Sequence, residues 1–338
     1  MRSPGSGCTG SCAETMQAKA RARSNIALVK YWGKADPGLN TPAVGSISIT
    51  LEHLWTDTGI RFDPKLRSDR LRLGGAERAD QLERVSRCLD LIREKAGTDL
   101  KAEVVSDNNF PTGAGLASSA SGFAALVGAA AAALGQSWSP RELSILARRG
   151  SGSAARSVFG GFVEMHRGKA ADGSDSFAEP IAAARDWPLN VLVAITAGGE
   201  KAVGSGAGMT LSAESSPYYG AWVESHPADL DAARAAIAAR DFGALARVAE
   251  ASCLKMHAAA MSAKPPLLYW NGATVDCLNR IRALRAGGLP VFFTIDAGPQ
   301  VKAVCLPEAV ETLRAELAEL PGVRDVIVTG LGPGLELL

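Results

Sequence analysis

Four groups of residues in this 338-residue chain combine side chains that could do chemistry together. Asp296 ends the apolar run Val291-Phe292-Phe293-Thr294-Ile295 and precedes Ala297-Gly298-Pro299, so a strand delivers a carboxylate into a turn. Lys30-Tyr31-Trp32-Gly33-Lys34 leaves a second apolar run through Ile26 and Leu28, offering anion contacts beside a rigid aromatic wall. Gly150-Ser151-Gly152-Ser153-Ala154-Ala155-Arg156 sets amides and hydroxyls one turn ahead of a guanidinium, whose fork suits a carboxylate or phosphate. The fourth is Asn108-Asn109-Phe110-Pro111-Thr112-Gly113-Ala114-Gly115-Leu116-Ala117-Ser118-Ser119-Ala120-Ser121-Gly122. Each also has a plain reading: a turn cap for Asp296, a solvent-reaching lysine for Lys30, and a flexible link for Gly-Ser-Gly-Ser.

The elements around these groups follow from pattern. An alternating run through Ala102, Val104 and Val105 precedes the glycine-rich stretch, and Phe123 to Leu134 follows it, giving strand, loop and helix. Glycines let amides approach a ligand, the first helical turn favours negative charge, and Ser118 and Ser119 add hydroxyls for phosphate or Mg²⁺. The loop is neither a Walker loop nor a Rossmann fingerprint. Ser46, Ser48 and Thr50 alternate with Ile47, Ile49 and Leu51 as a half-buried strand, Trp55 to Phe62 returns, and Leu71 to Leu73 adds another. Gln81 to Lys95 is an amphipathic helix, and Ser139-Pro140-Arg141-Glu142 caps a helix through Arg149. Trp187-Pro188 is a candidate domain boundary before a buried-type strand at Leu189 to Ile195. Residues 217–260 are helical and include His257, read as a packed or solvent-facing histidine in preference to an acid or base. A further helix runs to about Ala286, and residues 307–319 and Val323 to Val328 give a terminal helix and strand.

Length suits two domains: 1–20 as a disordered leader with Met16 a candidate start, then 21–188 and 189–338. The net charge of +1 advertises neither nucleic acid nor an anionic membrane, so a polyanionic substrate must be met by local cations. Six scattered cysteines suggest reduced thiols, and no apolar stretch has the length of a signal core or a membrane span. The expectation is therefore a cytoplasmic protein.

Pro111-Thr112-Gly113-Ala114-Gly115-Leu116-Ala117-Ser118-Ser119-Ala120 closely resembles the phosphate loop of the GHMP small-molecule kinases. Its Ala-Ser-Ser-Ala ending looks like the decarboxylase branch. Asn25-Ile26-Ala27-Leu28-Val29-Lys30-Tyr31-Trp32-Gly33-Lys34 and residues 147–164 are similar to two signatures of the mevalonate diphosphate decarboxylase family, and Pro265-Pro266 and Thr294 to Pro299 extend the match from about Ala22 to Gly330.

The resemblance implies an α/β (α+β) two-domain GHMP kinase fold: an N-terminal ribosomal S5 domain 2-like domain plus a C-terminal ferredoxin-like domain, with the site between them. It implies decarboxylation of mevalonate 5-diphosphate to isopentenyl diphosphate with ATP and Mg²⁺, in a homodimer. By motif position Asp296 orients or deprotonates the 3-hydroxyl, Lys30 lies close to it, Arg156 holds the substrate carboxylate and Asn25 stands near the reacting centre. Tyr31, Lys34, Ser151 and Ser153 face the diphosphate. Ser106, Asn108, Gly113, Ala114, Gly115, Leu116, Ala117, Ser118 and Ser119 take ATP, with Ser118 the candidate Mg²⁺ contact. Two departures stand out: Val44-Gly45-Ser46 replaces the family's usual Asn-Ser-Ser, and Gly206 stands where some bacterial members carry an arginine. Both remove polar contacts from the distal end of the substrate, which leaves mevalonate 5-phosphate as the alternative substrate.

Overall fold

The computed structural model describes residues 16–110, 118–199 and 202–338. The chain opens with β1 (Met16–Val29), a small ribbon of β2 (Lys34–Asp36) and β3 (Thr41–Pro42), and the long strand β4 (Ser46–Asp63). Then come β5 (Arg70–Leu73), β6 (Ala76–Glu77), α1 (Ala79–Ala96), β7 (Lys101–Asn108), α2 (Ser118–Ala133) and α3 (Pro140–Gly150). A 3-10 helix over Gly152–Val158 leads into β8 (Phe162–Met165) and β9 (Ala178–Ala182). The second half holds β10 (Asn190–Ile195), α4 (Ser205–Ser215), α5 (Tyr219–Ala239), α6 (Phe242–Met261) and α7 (Gly272–Ala286). It closes with β11 (Val291–Ile295), β12 (Val301–Cys305), α8 (Val310–Ala318), β13 (Asp325–Gly330) and β14 (Glu336–Leu337).

The first sheet runs β14-β1-β4-β7-β5-β6, with β8 and β9 added along β4. α2 packs on its inner face: Ala124, Leu126 and Val127 meet Ala20, Ala22, Ile60 and Phe62 in one core that also takes Val85, Leu89 and Ile92 of α1. The alanines of α2 let helix and sheet approach closely, and nearly the whole helix is buried. The second sheet is antiparallel in the order β11-β12-β10-β13, the arrangement of a ferredoxin-like sandwich. One of its faces packs on α7 and α8 through Cys277, Leu278, Ile281, Leu313 and Leu317. From the other, Val191, Val193, Phe292 and Val304 share a core with Ile26, Leu28, Ile47 and Ile49 of the first sheet.

Several expectations need correction. Residues 16–20 belong to β1, paired from Met16↔Phe62 to Ala20↔Thr58, so ladder bonds order the second part of the leader; residues 1–15 lie outside the described residues. The strands expected at 46–51 and 55–62 are one strand. Its register against β1 jumps between Arg23↔Trp55 and Asn25↔Thr50, where Leu51 bridges Leu331 and the His53 amide donates to Thr329 Oγ1. A bulge absorbs the extra residues without a turn. The single helical stretch expected over 217–260 breaks at Arg240, whose φ is +52°, and restarts at Asp241, whose carboxylate accepts from the Ala244 amide. α4 and β14 had no counterpart in the sequence reading.

Candidate active site

Asp296 leaves β11 with one oxygen facing each of two lysines. Lys30 Nζ donates to its Oδ1 at 2.7 Å, and Lys302 Nζ lies 3.5 Å from Oδ2. Both lysines are fully buried, whereas the Asp296 side chain keeps 24% exposure. Burial works against the carboxylate's charge, but Lys30 and Lys302 outweigh it and hold the group below the usual carboxylate range. Lys30 is itself fixed: its Nζ also donates to the Ala27 carbonyl at 2.9 Å and its amide to Ser252 Oγ at 3.0 Å. Thr294 Oγ1 donates to the same Ala27 carbonyl at 3.0 Å, tying β11 to the end of β1.

Arg156 projects from the 3-10 helix into the same space. Its Nη1 donates to Ser46 Oγ at 2.6 Å, while Nε and Nη2 both donate to Asn25 Oδ1, at 3.2 and 3.0 Å. Asn25 in turn donates through Nδ2 to Ser157 Oγ and to the Ser153 carbonyl. The guanidinium is buried, and burial lowers it to about 10 although Asp296 pulls the other way. Among the described residues its hydrogen-bond acceptors are all neutral, so it is a desolvated cation suited to a ligand carboxylate.

These groups open on one cavity of about 1050 Å³. Tyr31, Lys34, Ser151 and Ser153 line it with Asn25, Arg156 and Asp296. Burial pushes the Tyr31 phenol up to about 12 and the Lys34 ammonium down. A methyl group at Gly152 would stand 2.3 Å from the Tyr31 hydroxyl, so only glycine leaves room for that ring. The Gly-Ser stretch is therefore a packed 3-10 helix, not a link. Ser106, Asn108, Ser118 and Ser119 line the same cavity, and Ser119 Oγ lies 3.3 Å from Ser151 Oγ, which joins this group to the first. Ser106 Oγ pairs with Thr58 Oγ1 at 2.8 Å, Asn108 Oδ1 accepts from Thr56 Oγ1 at 2.5 Å, and Ser118 and Ser119 form the first turn of α2. Gly113, Ala114, Gly115, Leu116 and Ala117 lie outside the described residues.

The chain's charge is balanced overall but not here. Among the described residues six cations line the cavity (Lys34, Arg78, Arg84, Arg87, Arg149 and Arg156) against two carboxylates, Asp90 and Asp296. That excess fits a ligand carrying several negative charges. Three contributors escaped the sequence reading. Arg84 of α1 donates through Nε to the Gly150 carbonyl at 2.9 Å with its guanidinium over the Phe123 ring, and burial lowers its pKa. Ser46, read as a strand residue and as part of a departure, holds Arg156. Lys302 hides among apolar neighbours in β12, and its one signal is a lysine six residues after the aspartate within a strand-like run. Of the two placements left open for His257 the structure shows the packed one, its Nε2 against the Ile295 carbonyl at 3.2 Å.

A family model for the diphosphomevalonate decarboxylase-like N-terminal domain matches residues 22–178, and one for the mevalonate 5-diphosphate decarboxylase C-terminal domain matches residues 191–329. The diphosphomevalonate decarboxylase of Ganoderma lucidum is 40% identical over 84% of this chain and 76% of its own length. The human enzyme is 35% identical over 93% and 92%. Among solved structures, mevalonate diphosphate decarboxylase from Staphylococcus aureus has a TM-score of 0.90 at 38% identity, covering 95% of this chain and 98% of that one. A complex of MDDEF with MVAPP, AMPPCP and magnesium has a TM-score of 0.89 at 40% identity, covering 96% and 99%.

Proposed function

The chain belongs to the diphosphomevalonate decarboxylase family, and from that premise we infer how its own residues carry out the family's reaction. ATP and mevalonate 5-diphosphate give isopentenyl diphosphate, CO₂, ADP and phosphate. The observation that carries the assignment of roles is the pairing, in one cavity, of an ionised Asp296 with a buried Arg156 whose acceptors are neutral.

A tertiary hydroxyl leaves poorly, so the 3-hydroxyl is first phosphorylated. Asp296 accepts the hydrogen bond of that hydroxyl and aligns it for in-line attack, while Lys30 offsets charge on the transferred group. A carboxylate held below its usual range orients the hydroxyl and does not keep its proton, which passes to water as the new O–P bond forms. The C3–O bond then breaks with its electrons going to phosphate. The electron pair of the bond between the carboxyl carbon and C2 becomes the C2=C3 double bond as CO₂ departs. Arg156, aimed by Asn25 and Ser46, holds the carboxylate until that moment.

Tyr31, Lys34, Ser151 and Ser153 take the diphosphate in this reading, and Arg84 restores charge that Gly206 does not supply. Ser106, Asn108 and the 113–119 loop take ATP. When bound with ATP, magnesium would supply charge neutralisation on the phosphates. It suits this site as an ion carried largely by the phosphates: among the described residues no group of three or more His, Cys, Asp or Glu could cage it, and lysines face both Asp296 oxygens. Ser118 is the side-chain contact we assign to it. The domains divide near Trp187-Pro188, and the enzyme works as a cytoplasmic homodimer, a compartment favoured by the four free buried cysteines among the described residues.

The test is release of CO₂ and ADP with ATP-Mg²⁺ on mevalonate, its 5-phosphate and its 5-diphosphate in parallel. Equal CO₂ and ADP from the diphosphate, far above the others, is the expected result. Preference for the monophosphate, or ADP without CO₂, overturns the reading.

A further inference from the structure

Lys30 accounts for one oxygen of Asp296; the other faces a lysine with no role in the scheme above. Lys302 sits in β12, between β11 and β10, in register with Thr294. It is 0% exposed, flanked along its strand by Val301, Ala303 and Val304, and its ammonium reaches the carboxylate from the protein interior. A lysine buried on a central strand is costly, and a methionine would pack there more cheaply. Its presence needs a reason, and the 3.5 Å approach to Asp296 Oδ2 supplies one.

We propose that Lys302 is a positioning residue for Asp296, acting from behind the carboxylate so that Lys30 and Lys302 hold its two oxygens in one orientation and keep it ionised. The inference rests on the role given to Asp296 under the proposed function. Two lysines on different oxygens fix the carboxylate's rotation, which a single contact leaves free. Lys302 does not line the cavity, so it acts on the substrate only through Asp296. The groups facing Asp296 are Lys30 from the end of β1, Lys302 from β12 and Arg156 from the 3-10 helix, with Cys253 and His257 of α6 behind them. Burial raises the Cys253 thiol and lowers His257 to about 3, so both stay neutral near pH 7.

The experiment compares wild type, Lys302→Met and Lys302→Arg in kcat, KM and the pH dependence of kcat. Alongside, the Asp296 carboxyl is followed by ¹³C NMR in aspartate-labelled protein without substrate, its signal assigned with Asp296→Asn. Lys302→Met is expected to fall about 10- to 100-fold in kcat with KM changed less than about threefold. Its Asp296 signal should start to titrate about one pH unit or more higher than in wild type, and the acidic limb of kcat should move the same way. Lys302→Arg, keeping the charge, should restore the carboxyl titration even where its bulk limits turnover. A carboxyl titration unchanged in Lys302→Met overturns the proposal, as does lost activity from a raised KM with the acidic limb in place. If wild type were silent on mevalonate 5-diphosphate, the function reading would fail while the carboxyl titration still decided whether Lys302 governs Asp296.

Discussion

Asn25 Oδ1 accepts two hydrogen bonds from one guanidinium, from Nε and Nη2 of Arg156. A neutral acceptor in that place orients the arginine without discharging it. Asn25→Asp is the sharpest test of this arrangement, because it keeps the shape and adds a charge. The aspartate should form an ion pair with Arg156 and compete with the substrate carboxylate, lowering kcat/KM by about 10²-fold or more, while the lost donation to the Ser153 carbonyl offsets the gain in thermal stability from the ion pair. Steady-state kinetics beside calorimetric melting decide it, and a variant close to wild type in kcat/KM would sink the role given to Arg156.

Asp296→Asn removes the charge that both lysines face and keeps the size. Turnover should fall by about 10³-fold or more while ATP and mevalonate 5-diphosphate still bind within a few-fold of wild type. Single-turnover quench for the chemical step and isothermal calorimetry for binding separate the two. Turnover within tenfold of wild type would remove Asp296 from the reaction.

Gly152→Ala places a methyl group against Tyr31, 2.7 Å from the ring carbon that bears the hydroxyl. The ring must move out of its place beside Ser151 and Ser153. We expect a loss of about 10- to 100-fold in kcat/KM and about 1–3 kcal/mol in stability. If kinetics and urea midpoint are both unchanged, Tyr31 is not held as described.

Two buried histidines make the fold acid-sensitive. Burial lowers His226 to about 4 and His257 to about 3, below the value of 6.5 expected when unfolded. Between those limits the unfolded chain binds the extra protons, so stability is full above about pH 6.5 and falls as pH drops, by up to about 1.4 kcal/mol per pH unit for each histidine. Urea unfolding from pH 7.5 to 5 should show that slope, and His257→Gln should remove its share. A slope identical in variant and wild type refutes the assignment.

What the sequence told and withheld follows from the range of the interactions. Ser139, Pro140 and Glu142 predict a helix start because a capping box is built within four residues, and it forms as expected, with Glu142 returning to the Ser139 amide at 2.9 Å. Asp296 and Arg156 could be singled out because each sits at the end of a short patterned segment, but the pattern left a turn cap and a flexible link open, and their expected roles came from the resemblance. Arg84 was not, since it is one of several arginines on an amphipathic helix, and only the fold turns that face toward Gly150 and Phe123. Lys302 was hidden because β12 alternates no polarity: all five of its residues are buried, so nothing in the pattern separates a lysine aimed at a carboxylate from one reaching solvent. The bulge in β4 was invisible for the same reason, since its cause is a contact with Leu331 and Thr329, far along the chain.

The pairing of β14 with β1 bears on how the protein is made. The Leu338 amide donates to the Lys19 carbonyl at 2.8 Å, and Arg23 reaches Glu336 at 2.9 Å. The edge of the first sheet is thus closed by residues that leave the ribosome some 300 positions after the strand they cover. While β1 waits, its open edge is exposed to other chains in the same polysome.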